Sequence, residues 1–158
     1  MSEKITTCLW FDNQAEEAAE FYVSVFEDAR VLDVARYGEG GPGAAGQAIT
    51  VRFEIGGRTF TALNGGPAFT FSEAVSFVVD CASQEEVDRY WTALSEGGSE
   101  GQCGWLKDKY GVSWQVIPSV LGQLIGGPDR VGSQRAMQAM LAMHKLNIAA
   151  LQKAYDGR

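Results

Sequence analysis

The sequence predicts an α+β fold in which a β-α-β-β-β unit is written twice and followed by a C-terminal helix. The stretches QAEEAAEFYVSVF (14–26) and SQEEVDRYWTALS (83–95) each carry Glu-Glu, three residues, then two aromatics, at a constant offset of 69. Each follows one β-like run and precedes others, and residues 119–158 have no counterpart in the repeat.

The first unit opens with ITTCLWF (5–11), rich in β-formers and ending in Asp12-Asn13, a turn or helix N-cap signal. In 14–26 the apolar residues Ala18, Phe21, Tyr22, Val25 and Phe26 form one stripe of a 3.6-residue period, with Glu16, Glu17 and Glu20 mostly off it. Three β-like runs follow, ARVLDVARY (29–37), QAITVRFEI (47–55) and RTFTALN (58–64), and Gly56-Gly57 between the last two is a hairpin signal.

The second unit starts with AVSFVVD (74–80), continues with a helix over 84–95 whose stripe is Val87, Tyr90, Trp91 and Leu94, and ends in GWLKDKYGVSWQVIP (104–118), a hairpin turning near Lys109-Tyr110-Gly111. Between them GGSEGQC leaves room for a short or irregular second strand only, so the repeat is eroded there. The offset of 69 matches Thr7 with Ser76, Phe11 with Asp80, Glu16-Glu17 with Glu85-Glu86, and Phe21-Tyr22 with Tyr90-Trp91. After the break Gly126-Gly127-Pro128-Asp129, a single helix is expected from about Ser133 to Tyr155, with Met137, Met140, Leu141, His144, Ile148 and Leu151 at helical spacing.

Composition narrows the function. Thirteen Lys and Arg against twenty Asp and Glu give a net charge of −7 with no basic run, so nucleic acid is not an expected partner. No stretch of about 18 apolar residues exists and MSEKITT lacks the apolar core of a signal peptide, so no membrane is expected and the expected location is cytoplasmic. Cys8, Cys81 and Cys103 are odd in number and lack CxxC spacing, which argues for buried small residues rather than disulfides or a zinc site.

The phrases WFDNQAEEAAEFY, RYGEGGPG, TALNGGP, SFVVDCASQEEVDRYW and CGWLKDKYGVSWQVIP span nearly the whole chain. In them the sequence resembles the vicinal oxygen chelate superfamily (glyoxalase, bleomycin-resistance proteins, extradiol dioxygenases), and within it the PhnB-like branch, also labelled the 3-demethylubiquinone-9 3-methyltransferase domain. The resemblance implies one glyoxalase-like domain over 1–158, with modules at 4–66 and 72–120 and a helical extension at 130–156. It also implies curved sheets around a cleft. In metal-using members four cleft-facing ligands, usually His, Gln or Glu, come from the first and last strands of the modules.

The corresponding positions here are Thr7 and Ser76 on the first strands and Thr61 and Gln115 on the last strands. Three hydroxyls and one amide are poor donors for a transition metal, and the single histidine, His144, lies outside the repeat, so no cofactor is expected. Residues two apart share a strand face. On that rule Thr7, Leu9, Phe11, Thr61, Leu63, Ser76, Val78, Gln115 and Ile117 line the cleft, while Cys8, Trp10, Phe60, Phe77, Trp114 and Val116 face the helices.

The expected ligand-binding residues are Thr7, Thr61, Ser76, Gln115 and Trp105, the last anchoring the loop after Cys103. They suit a small, partly apolar molecule. The alternative is a glyoxalase-like isomerase or lyase, either with an atypical ligand set or metal-free and using Gln115 and Thr61 to polarise a carbonyl.

Two other motifs lead nowhere. Gly38-Glu39-Gly40-Gly41-Pro42-Gly43 matches GxGxxG but runs into another strand, where a dinucleotide fingerprint needs a helix. The methyltransferase label fits no glycine-rich turn after the first strand, since DNQAEEAAEF is none. A homodimer is expected, with the Met-rich helix at or near its interface.

Overall fold

In the computed structural model, which describes residues 3–158, the chain divides into two units, 1–71 and 72–158. The first contains β1 (Thr7–Phe11), α1 (Ala15–Val25), β2 (Ala29–Arg36), β3 (Ala48–Ile55) and β4 (Arg58–Asn64). They form a four-stranded sheet of order β1-β4-β3-β2, with β1 parallel to β4 and the remaining pairs antiparallel. The second unit repeats the plan with β5 (Ser76–Cys81), α2 (Gln84–Ser95), β6 (Ser99–Glu100), β7 (Trp105–Lys107) and β8 (Ser113–Pro118), ordered β5-β8-β7-β6. The eroded second strand is the two-residue β6.

Burial explains why each helix settles on its sheet. Ala15, Ala18, Ala19 and Tyr22 are the buried stripe of α1, and Tyr22 stacks on Phe53 of β3, which stacks on Phe60 of β4 at 5.2 Å between ring centroids. In α2 the buried stripe is Val87, Tyr90, Trp91 and Leu94, as periodicity predicts. Gly56 and Gly57, with φ of +55° and +80°, supply the left-handed pair that a two-residue hairpin between β3 and β4 requires.

The C-terminal region departs from expectation in one respect. The single helix over 133–155 is instead two, α4 (Arg130–Leu141) and α5 (Ile148–Asp156), preceded by the short α3 (Leu121–Ile125). The chain breaks at 142–147 because Asn147 caps α5, its Oδ1 accepting from Ala150 N at 2.8 Å. The break lets the two helices fold back on α3, burying Leu121, Leu124, Ala136, Leu146 and Leu151 in one cluster. His144 therefore lies on no helical stripe. It is exposed, and its Nδ1–H donates to Gly101 O at 2.7 Å.

Candidate functional site

Cross-strand partners share a sheet face, so the register fixes which residues lie together. In the second unit Phe77 pairs with Trp114 and Val79 with Val116, on the face that α2 covers. Ser76 pairs with Ser113, Val78 with Gln115, and Gln115 with Trp105, on the face turned away from α2. The alternation therefore brings Ser76, Val78, Gln115 and Trp105 together on one face. Gln115 Nε2 donates to Ser76 Oγ at 2.9 Å, which fixes the amide orientation. Ile117 shares the face, but it packs against the cluster of C-terminal helices.

The first unit reverses the expected facing of the whole of β1. Thr7 pairs with Phe60, Leu9 with the buried Ala62, and Phe11 with Asn64, so Thr7, Leu9 and Phe11 lie on the face that α1 covers. Cys8 pairs with Thr61 and Trp10 with Leu63 on the opposite face, where Trp10 meets Phe69 edge-on at 4.9 Å and its Nε1 donates to Gly66 O. Thr7 is thus separated from Thr61, and Cys8 and Trp10 take the place assigned to Thr7, Leu9 and Phe11.

The cause is the strand-to-helix junction. Three residues, Asp12 to Gln14, separate β1 from α1, whereas two, Ala82 and Ser83, separate β5 from α2. An offset of 69 therefore holds along the helices, but along the strands Phe11 corresponds to Cys81, an offset of 70. A one-residue difference turns every strand side chain to the other face. Close packing seals the arrangement: a Cβ on Gly65 would lie 2.4 Å from the Trp10 indole, so only glycine fits there.

Several contributors escape the strand alternation read earlier. Lys107 pairs with Ser113 on the same face as Trp105 and carries an ion pair with Glu73. Ser113 is 1% exposed and, among the described residues, its Oγ has no hydrogen-bond partner. The alternation of Trp105 with Lys107, and of Ser113 with Gln115, is the signal that would have found both. Asp108 is 2% exposed and organises the β7–β8 hairpin: Oδ1 accepts from Tyr110 N and Val112 N, and Oδ2 from Trp114 Nε1 at 2.8 Å.

The cysteines divide by environment. Burial, then the nearby Glu86 and Asp80 carboxylates, push the Cys81 thiol up to about 12, so it stays protonated at neutral pH. Cys103 is half-buried with φ of +58°, and its loop is pinned by bonds from Cys103 N to Met143 O and Gly104 N to His144 O, both 2.8 Å. That geometry makes it a clamped turn.

The metal implied by the family resemblance does not fit these donors. Ser76 and Gln115 offer a hydroxyl and an amide already bonded to each other, Thr61 offers a hydroxyl, and Thr7 faces the other way. Among the described residues no three His, Cys, Asp or Glu side chains are grouped so as to hold a metal ion. No helix among them is long and apolar enough to cross a membrane.

Comparison with known proteins places the chain. A sequence model of the 3-demethylubiquinone-9 3-methyltransferase family matches residues 3–117, so the likeness stops short of the C-terminal helices rather than spanning nearly the whole chain. A PhnB protein from Bacillus cereus is 38% identical, with a TM-score of 0.69, over 73% of this chain and 99% of its own. Protein PA1353 from Pseudomonas aeruginosa has a TM-score of 0.61 at 23% identity, covering 74% of this chain and 98% of its own. The fosfomycin resistance protein FosX from Mesorhizobium loti reaches 0.51 at 11% identity, covering 73% and 90%, so these two show the fold alone. Among curated proteins none matches. The chain belongs to the 3-demethylubiquinone-9 3-methyltransferase, or PhnB-like, family.

Proposed function

We propose that this protein binds a small, partly apolar molecule on the face of its second sheet turned away from α2. The observation that carries the reading is the joint presentation of the half-buried Trp105, the 60% exposed Val78 and the hydrogen-bonded Ser76–Gln115 pair on one face. An indole and a valine supply contact area, while an oriented amide and hydroxyl supply direction, the usual make-up of a small-molecule site. The family description names methyl transfer. The mixed sheets, with no glycine-rich turn between β1 and α1, give that activity no support.

The test is a fragment screen by ligand-observed NMR on the full chain. Trp105→Ala is expected to weaken aromatic fragments at least tenfold, and Gln115→Ala to weaken those with a carbonyl or hydroxyl by about threefold to tenfold. Fragments that bind both variants as well as the parent would overturn the reading. Elemental analysis of the purified protein addresses the metal: a transition metal near one per chain would overturn the metal-free part of it.

We further propose a homodimer with α4 at its interface. Val131 and Leu141, 61% and 58% exposed, and Met137, 37% exposed, lie on the face of α4 away from the buried cluster. Deleting the helices would also uncover Leu121 and Leu124. Light scattering on a Val131→Lys/Leu141→Glu variant therefore tests the dimer more cleanly: a monomer is expected, and an unchanged dimer moves the interface elsewhere.

A further inference from the structure

The register lines up three hydrogen-bond donors across neighbouring strands of the second sheet. Lys107 on β7 pairs with Ser113 on β8, and Ser113 pairs with Ser76 on β5. Strands lie about 4.8 Å apart, so the row spans roughly 10 Å between its outer Cα atoms. The next row, Trp105–Gln115–Val78, carries the apolar contact area.

Two features show that the polar row is incomplete within the chain. A hydroxyl buried to the degree of Ser113 ordinarily has a partner, and leaving it without one is costly, yet among the described residues its Oγ has none. Ser76 Oγ accepts the Gln115 amide, which leaves its own proton for another acceptor. The row therefore presents the Lys107 ammonium and the Ser76 hydroxyl to a ligand from outside, while the Ser113 hydroxyl is closed to solvent and is reached only as Glu73 is displaced from Lys107. Glu73 shows which chemistry fits, because a carboxylate already sits on the Lys107 ammonium. Glu73 is itself 61% exposed at its side chain, so little holds it there when a competitor arrives.

We infer that the Lys107–Ser113–Ser76 row binds the carboxylate of a small monoanionic ligand, which displaces Glu73 from Lys107 while its apolar part lies against Trp105 and Val78. This rests on the proposed binding face and specifies the ligand class it takes. A dianionic phosphate fits less well, since one ammonium on a chain of net charge −7 cannot neutralise it.

Benzoate and its neutral analogue benzamide, titrated into the full chain and followed by amide chemical shifts of residues 105–117, test the inference. Benzoate is expected to bind at least tenfold tighter than benzamide. Lys107→Met should bring benzoate to the benzamide level. Glu73→Gln should tighten benzoate about threefold and leave benzamide unchanged, and it keeps the test sound should Lys107→Met perturb folding. Ser113→Ala should weaken benzoate about fivefold.

Equal binding of the two probes, or equal losses in Lys107→Met, would overturn the anion site while the binding face stands. Shifts from neither probe would overturn both. Benzoate binding unchanged in Ser113→Ala would assign the buried hydroxyl to a water and overturn the row.

Discussion

The two units solve the same construction problem with different residues, and the contrast is sharpest where strand, helix and hairpin meet. In the first, Gln14 stands at the N-cap of α1 without a side-chain bond, and Asn64 from β4 reaches over instead. Its Oδ1 accepts from Ala15 N at 2.8 Å while its Nδ2 donates to Ala48 O at 3.0 Å, so one side chain ties helix, β3 and β4 together. In the second, Ser83 caps its own helix through Glu86 N, and the position of Asn64 is held by Pro118.

The hairpins differ likewise. Two glycines close β3–β4, whereas the longer β7–β8 turn is closed around the buried Asp108. Duplicated backbones keep their topology while the groups that satisfy their loose ends are exchanged, because any donor or acceptor of the right reach meets the requirement.

The largest effect expected from breaking this contrast is at Asp108. Asp108→Ala strands two backbone amides and the Trp114 indole N–H in a buried site, which should cost about 3–5 kcal/mol. Asp108→Asn keeps a single acceptor oxygen, so either the amides or the indole loses its partner and about half the loss should remain. The corresponding change in the first hairpin, Gly57→Ala at φ of +80°, should cost about 1–2 kcal/mol. Urea titrations of the three variants measure the order. A loss for Asp108→Ala no larger than for Gly57→Ala would show that the carboxylate is not what holds the second hairpin.

Asp108 also marks what the sequence could and could not disclose. The helices were legible, since Val87, Tyr90, Trp91 and Leu94 are written at helical spacing and are the residues buried. So was the β3–β4 hairpin, from Gly56-Gly57. The facing of β1 was not, because Cys8-Leu9-Trp10-Phe11 is apolar on both faces: Leu9 and Phe11 serve the core, and Trp10 packs on Phe69. With no polar residue to mark one side, alternation is silent, and a junction one residue longer than its counterpart goes unnoticed. The split between α4 and α5 was legible in principle from the cap residue Asn147, but the helical spacing of Met137, Met140, Leu141, His144, Ile148 and Leu151 runs across the break and masked it. Asn64 reaches Ala15 and Ala48 across the fold, which no local pattern encodes, whereas Asp108 bonds residues of its own hairpin and takes that role only once the turn has closed around it.

The next comparison sets the two caps against each other. Asn64→Ala removes both an amide acceptor at α1 and a donor to β3, in a half-buried setting, and should destabilise by about 1.5–3 kcal/mol. Ser83→Ala removes one exposed cap bond and should cost about 1 kcal/mol or less. Amide hydrogen exchange locates the damage: faster exchange in the first turn of α1 is expected for Asn64→Ala, and in the first turn of α2 for Ser83→Ala. If Asn64→Ala leaves α1 as protected as before, Gln14 takes over the cap and the contrast between the units disappears.

The smallest effect concerns how each helix is tied down electrostatically. Glu16 of α1 receives both Nη atoms of Arg36 from its own sheet, at 3.0 and 2.5 Å, whereas Asp88 of α2 pairs with Lys145 in the connector between α4 and α5, at 2.8 Å. The Arg36 hydrogen bonds, aided by its charge, hold the Glu16 carboxyl below the usual range, and the Lys145 hydrogen bond does the same for Asp88. A folded-state value lowered in this way contributes stability that is fully present above the unfolded value, near 4.3 for Glu and 3.9 for Asp, and is lost as pH falls through the folded value. Both pairs are solvent-exposed, so each is worth about 0–1 kcal/mol at neutral pH and less in high salt. Glu16→Gln and Asp88→Asn should therefore each lower stability slightly at pH 7, and the loss should shrink as pH falls below the unfolded values. Asp88→Asn should in addition speed exchange in the first turn of α5. Gln84 next to it bonds Leu146 O at 3.0 Å and Ile148 N at 2.8 Å, so loosening Asp88 loosens that attachment. A loss that persists undiminished at pH 2 would mean the side chains act through packing rather than charge.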